Sequence, residues 1–190
     1  SRSLVEFKDR AVSDKQIGFQ KNPPRYVPIP LWGREMRKHV EERFYKLIDE
    51  SNNSAVNVCE MRDESLGIVT SSITYQYVRE VWPEASTLKL GMAYPFPDKL
   101  IKDFAVQVGK LLVVEELDNI LEEHIRSIGI ECVGREFIPG IGEHSPTVLK
   151  KARQKMEGND GESNYDEKVA ELIKDLPARP PVLCPGCPHR

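Results

Sequence analysis

"KLLVVEELDNILEEHIRSIGIECVG", residues 110–134, sets two periodicities back to back. Residues 110–116 are almost continuously apolar and β-branched before they end on Glu115 and Glu116, the pattern of a strand buried on both faces. Residues 117–129 then bring Leu117, Ile120, Leu121, His124, Ile125 and Ile128 to one side of a helix. A second short apolar run, 130–134, follows as another strand. Strand, helix and strand in succession make a crossover unit, which calls for parallel pairing and right-handed connection.

The same rhythm extends upstream. "LGIVT" (66–70) reads as a short buried strand, preceded by a charged turn at 62–65 and a further strand candidate, "AVNVCEM" (55–61). Residues 71–82 read as a helix capped by Ser71 or Ser72, and 86–90 as a strand. After a loop at 91–97, Asp98 is expected to cap a helix that Gly109 closes. Further back, the prolines of "NPPRYVPIP" (22–30) predict an extended connector, because each ring fixes φ and removes a donor. A helix over 31–50 follows, with Met36, Val40, Phe44, Leu47 and Ile48 as its apolar stripe and "SNNS" (51–54) as its stop. Downstream come a loop (135–146), a helix (147–156), a polar break (157–164), a last helix (165–176) and a proline-rich run-out.

The expected fold class is therefore α/β: a Rossmann-like, mainly parallel sheet with helices on both faces, plus N- and C-terminal extensions. The expected boundaries are a linker at 1–31, an α/β domain at 32–146, a helical extension at 147–176 and a proline-rich linker at 177–190.

A net charge of −3 with 30% charged residues lacks the basic balance that non-specific nucleic-acid binding requires. No apolar run approaches the roughly 20 residues that span a bilayer. The opening "SRSLVEFKDR" has neither an initiator Met nor a signal-peptide core, and reads as the interior of a longer, cytoplasmic polypeptide.

Several motifs invite a functional reading. Cys59 and Cys132 stand singly in apolar surroundings, as small reduced core residues do. "GIGEHS" (140–145) misses the phosphate-loop pattern, since Pro139 precedes it and it does not directly join a strand to a helix. It reads as a loop held by glycine turns. "GNDGESN" (158–164) is flanked by polar residues and reads as a linker. Glu115 and Glu116 stand at the sheet edge where open α/β folds bind ligands, yet acidic residues entering a helix also stabilise its N-terminus. The helix role is preferred. His124 reads as a satisfied core or interface histidine, and His144 has no spaced metal partner. No catalytic set assembles between residues 1 and 176.

Cys184 and Cys187 differ, because C-P-G-C presents two thiolates close enough to share one metal, on a loop that glycine turns and proline stiffens. Zinc or a four-iron cluster would need two further ligands. Zinc, a cluster and a plain thiol pair all stay open from the residues alone.

"RPPVLCPGCPHR", "GIVTSSITYQYVREVWPEASTLKLGMAYPFPDKLIKDFA", "LLVVEELDNILEEHIRSIGI" and "IPGIGEHSP", with "SRSLVEF" and "PPRYVPIP", together resemble the alpha subunits of the thiamine-diphosphate-dependent 2-oxoacid:ferredoxin oxidoreductases. Within that family the likeness is to the branch acting on arylpyruvates such as indolepyruvate. The resemblance implies oxidative decarboxylation to an acyl-CoA, with coenzyme A as acyl acceptor, ferredoxin as electron acceptor and a beta subunit as partner. It implies magnesium-bound thiamine diphosphate and [4Fe–4S] clusters in the parent enzyme. It places 32–146 as a domain like the C-terminal domain of transketolase, 1–31 as the tail of a pyrimidine-binding domain, and 177–190 as the start of a diphosphate-binding domain. By the same resemblance Cys184 and Cys187 are candidate iron–sulfur ligands in the intact subunit only, although His189 stands where those relatives usually carry glycine. No catalytic residue and no cofactor is expected within these 190 residues. The alternatives are a stand-alone Rossmann-like module binding a nucleotide or coenzyme A, and a small metal or redox sensor acting through Cys184 and Cys187.

Overall fold

The computed structural model describes residues 6–10, 12, 18–159 and 165–177. The C-P-G-C pair, Cys184 and Cys187, lies outside the described residues, as does most of the "GNDGESN" linker.

Among the described residues four strands form one open sheet, in the order β1 (Val58–Glu60), β3 (Ala85–Leu90), β2 (Asp63–Ser71) and β4 (Lys110–Val114). β2 (Asp63–Ser71) is central and pairs in parallel with β3 (Ala85–Leu90) and β4 (Lys110–Val114). Alternation along these strands sends side chains to two separate cores. Ile68, Leu112 and Val114 face α3 (Thr74–Val81) and α6 (Pro146–Met156), meeting Val78, Trp82 and Leu149. Val69, Leu111 and Val113 face α4 (Asp98–Ala105) and α5 (Ile120–Ser127), meeting Ile101, Phe104 and Ile125. Helices cover both faces, so the expected α/β, Rossmann-like class is borne out.

The sheet is mixed rather than parallel throughout. β1 (Val58–Glu60) pairs antiparallel with the outer edge of β3. The chain then passes the start of β3 to enter β2, and Ser86 straps this passage: its hydroxyl accepts from Arg62 N at 2.9 Å and donates to Asp63 O at 2.9 Å. Three of the four residues expected as a charged turn, 63–65, are consequently strand, with Asp63 paired to Ala85 and a register shift before Gly67.

Other boundaries move for local reasons. Pro23–Tyr26 form a single helical turn, α1, within the stretch expected to be extended; proline fits the first turn because its missing N–H would be unpaired there anyway. Pro30 opens α2 (Pro30–Asn53), three residues longer than expected at its end. Neither Ser71 nor Ser72 caps α3: Ser71 ends β2, and Ser72 takes a left-handed φ of 57°. Asp98 begins α4 but does not cap it, since its carboxylate is held by His124. Gly109 lies beyond that helix and donates to Glu64 O at 2.7 Å. Leu117 and Ile120 leave the apolar stripe of α5: Leu117 precedes the helix at φ 62°, and both are exposed. The strand expected at 130–134 reduces to one parallel bridge, Leu112 with Val133. Cys132 is buried as expected, but Cys59 points outward from the edge strand and is exposed. α7 (Tyr165–Ile173) is the last described helix.

Candidate functional site

β2 leads into a helix on one face of the sheet and β4 into a helix on the other. Their C-terminal ends therefore part, and an open α/β sheet holds its ligands in such a crevice. Here it encloses about 370 Å³, with Ser71, Ser72 and Thr74 on one side and Glu115, Glu116 and Asp118 on the other.

The floor is tied together by threonines. Thr70 Oγ1 donates to Val114 O across the strand pair at 2.9 Å and lies 2.8 Å from Thr74 Oγ1, which in turn donates to Ser71 O. Ser72 and Leu117, the two non-glycine residues with left-handed backbone among the described residues, border this crevice. They are the points where the chain turns sharply out of β2 and β4.

Glu115 reaches past the turn to cap α5. Its Oε2 accepts from Leu121 N and its Oε1 from Glu122 N, each at 2.9 Å. Two unpaired N–H groups of the helix start are thus satisfied by one carboxylate, which also complements the helix dipole. Burial pushes the Glu115 carboxyl upward, against those two amides, which pull it down. Glu116 Oε1 accepts from His144 N at 2.8 Å and so pins the 139–146 loop to the end of β4. The expectation that these acidic residues serve a helix end holds for Glu115; Glu116 instead holds a loop. That loop contains "GIGEHS", and its Ser145 caps α6 by accepting from Val148 N at 3.3 Å. Its chemistry is that of a turn held in place.

Electrostatics restrict the possible ligands. The crevice lining carries three carboxylates and no lysine, arginine or histidine, which disfavours a phosphate-bearing ligand, and the nearby Arg135 guanidinium is occupied in donating to Leu117 O. His124 is satisfied: its Nε2 sits 2.6 Å from Asp98 Oδ1, and Phe96 stacks on the ring at 3.8 Å. This pair joins α5 to the start of α4. His144 is 4% exposed, and its Nε2 lies 3.2 Å from Pro139 O. Glu122, also buried, accepts from Arg135 N at 2.8 Å and pairs with Arg126 at 2.6 Å. Among the described residues no three His, Cys, Asp or Glu side chains converge to hold a metal ion. No described helix is long and apolar enough to cross a membrane.

Sequence reading missed the Glu122–Arg135 link and the His124–Asp98 pair. Their partners lie 13 and 26 residues apart, and no local periodicity marks them.

No protein-family model matches the chain. Curated relatives do. Indolepyruvate oxidoreductase subunit IorA of Pyrococcus abyssi is 35% identical over 187 residues, covering 90% of this chain and 29% of that protein. The subunit of the same name from Methanothermobacter marburgensis is 32% identical across 100% of this chain and 32% of its own length. That of Archaeoglobus fulgidus is 31% identical across 92% of this chain and 30% of its own. The resemblance carried by the motifs is thus borne out: the chain is similar along nearly its whole length to indolepyruvate oxidoreductase subunit IorA, of which it spans about three tenths.

Proposed function

We propose that this chain is the middle, structural domain of the alpha subunit of an arylpyruvate oxidoreductase of the indolepyruvate type, and that it contributes no catalytic residue. The observation that carries this reading is the similarity to IorA subunits across 90–100% of the chain. The crevice supports it from the chemical side, because Glu115 and Glu116 are engaged in holding a helix and a loop.

The whole enzyme, in this reading, decarboxylates a 2-oxoacid oxidatively, delivers the acyl group to coenzyme A and passes electrons to ferredoxin, with a beta subunit completing the assembly in the cytoplasm. Thiamine diphosphate with magnesium would supply the decarboxylation chemistry and [4Fe–4S] clusters the electron path. The described residues do not fit either group: no metal-holding cluster forms among them, and the crevice would meet a diphosphate with three carboxylates and, opposite them, only the neutral hydroxyls of Ser71, Ser72 and Thr74. The reading therefore assigns these groups to polypeptide outside the described residues. Residues 1–31 would belong to the tail of a pyrimidine-binding domain, 32–146 to the α/β domain, 147–176 to a helical extension whose first helix, α6, packs Leu149 and Ala152 into the core of that domain, and 177–190 to the entry of a diphosphate-binding domain. Cys184 and Cys187 are its candidate iron ligands.

Anaerobic dye reduction with indolepyruvate, coenzyme A and thiamine diphosphate tests the proposal. The 190-residue chain is compared with a subunit extended to the length of its relatives and assembled with its partner. Activity confined to the assembly, and lost when thiamine diphosphate is withheld, is the expected result. Absence of turnover in an iron-loaded assembly would remove the enzyme reading. Cys184→Ser with Cys187→Ser in that assembly is expected to lower bound iron.

A further inference from the structure

The longest helix among the described residues is almost uncovered. α2 has 24 residues, and its one buried residue is Ser51, in its last turn. There Ser51 Oγ donates to Pro95 O at 2.6 Å, and Asn52 Oδ1 accepts from Leu100 N at 3.1 Å. The N-terminal half reaches away from these anchors. Between it and α1 runs a groove of about 860 Å³ whose wall includes Tyr26, Trp32, Met36 and Val40. An isolated helix gains little in water unless an apolar face is covered, and aromatic residues with Met and Arg are the side chains that protein interfaces favour.

We infer that this groove is the seat of another domain of the same subunit, one that brings an apolar ridge flanked by carboxylates. The inference rests on the subunit reading above. Two observations choose this occupant. Relatives of this chain are about three times its length, so a subunit built like them has most of its polypeptide elsewhere to be joined to this domain. The rim is also one-sided in charge: Arg25 and Arg43 border the groove, while its acidic member, Glu35, is already paired with Lys38 at 2.7 Å. A second copy would offer these guanidinium groups a rim whose acidic member is already paired, whereas an acidic-rimmed ridge would be drawn in.

Backbone hydrogen exchange over residues 30–42 tests this in three states: the 190-residue chain, the extended subunit alone, and the extended subunit with its partner. Exchange is expected to slow by at least about tenfold from the first state to the second. Trp32→Glu with Met36→Glu, and separately Val40→Glu, should abolish that slowing while moving the melting midpoint of the short chain by less than about 3 °C. Equal exchange in the first two states overturns the inference. So does slowing that grows with concentration of the short chain, which would mean a second copy, or slowing that appears only with the partner subunit. The enzyme reading fails separately, as lack of dye reduction in an assembly whose α2 amides are protected.

Discussion

Glu115 caps α5 from the edge of the sheet at which open α/β folds hold their ligands. It stands at the end of the most apolar strand, at the ligand-binding edge of the sheet, yet both carboxylate oxygens are taken by the first amides of α5. Glu115→Ala is expected to cost about 1 kcal/mol, as the loss of an N-terminal helix cap does, and thermal unfolding measures it. The pH dependence has a definite sign. Burial holds the carboxyl above its ordinary 4.5, so the folded chain binds this proton more readily than the unfolded one. The stability tied to the group is fully present below about pH 4.5 and is lost as pH rises through the raised value. Wild type should therefore lose ground to Glu115→Gln as pH rises from 4 to about 7, and an inverted trend in their melting midpoints would refute this. Sequence put Glu115 correctly at a helix start, because strand end and helix periodicity abut there. It could not show that Glu116 would hold His144, since that contact spans 28 residues and two loops.

Among the elements, those with a strong local pattern were legible and those defined by a neighbour were not. β4 and the core of α5 follow from apolar runs and helical spacing, and the structure places Leu112, Val113, Leu121 and Ile125 in the cores. The direction of β1 was hidden, because a three-residue run carries no mark of parallel or antiparallel pairing. The helical turn at Pro23 was hidden by the very residue that permits it. At the element scale Asn57 is a clasp. Its Nδ2 donates to Ser51 O at 2.7 Å and its Oδ1 accepts from Met92 N at 2.8 Å, which ties the end of α2 to the loop after β3. Asn57→Ala strands both backbone groups and is expected to cost about 2–3 kcal/mol, with faster exchange of the Met92 amide. Gly91 lies in the same joint, where a Cβ would come within 2.5 Å of Val56 O. Because backbone must yield there, Gly91→Ala is expected to destabilise by about 1–3 kcal/mol, measured by denaturant titration.

For the whole molecule, a two-faced core holds a sheet whose ligand edge is acidic and internally bonded, and a long helix carries an apolar face away from it. That combination suits a domain that positions others. The central claim, that these residues support the proposed chemistry without taking part in it, is tested most directly at the crevice. In the assembled oxidoreductase, Asp118→Asn and Ser72→Gly are introduced singly, and indolepyruvate-dependent dye reduction is measured. The account expects kcat/KM to stay within about threefold of wild type. A loss of about a hundredfold or more in a variant with an unchanged melting midpoint would contradict it and put the crevice at the reaction.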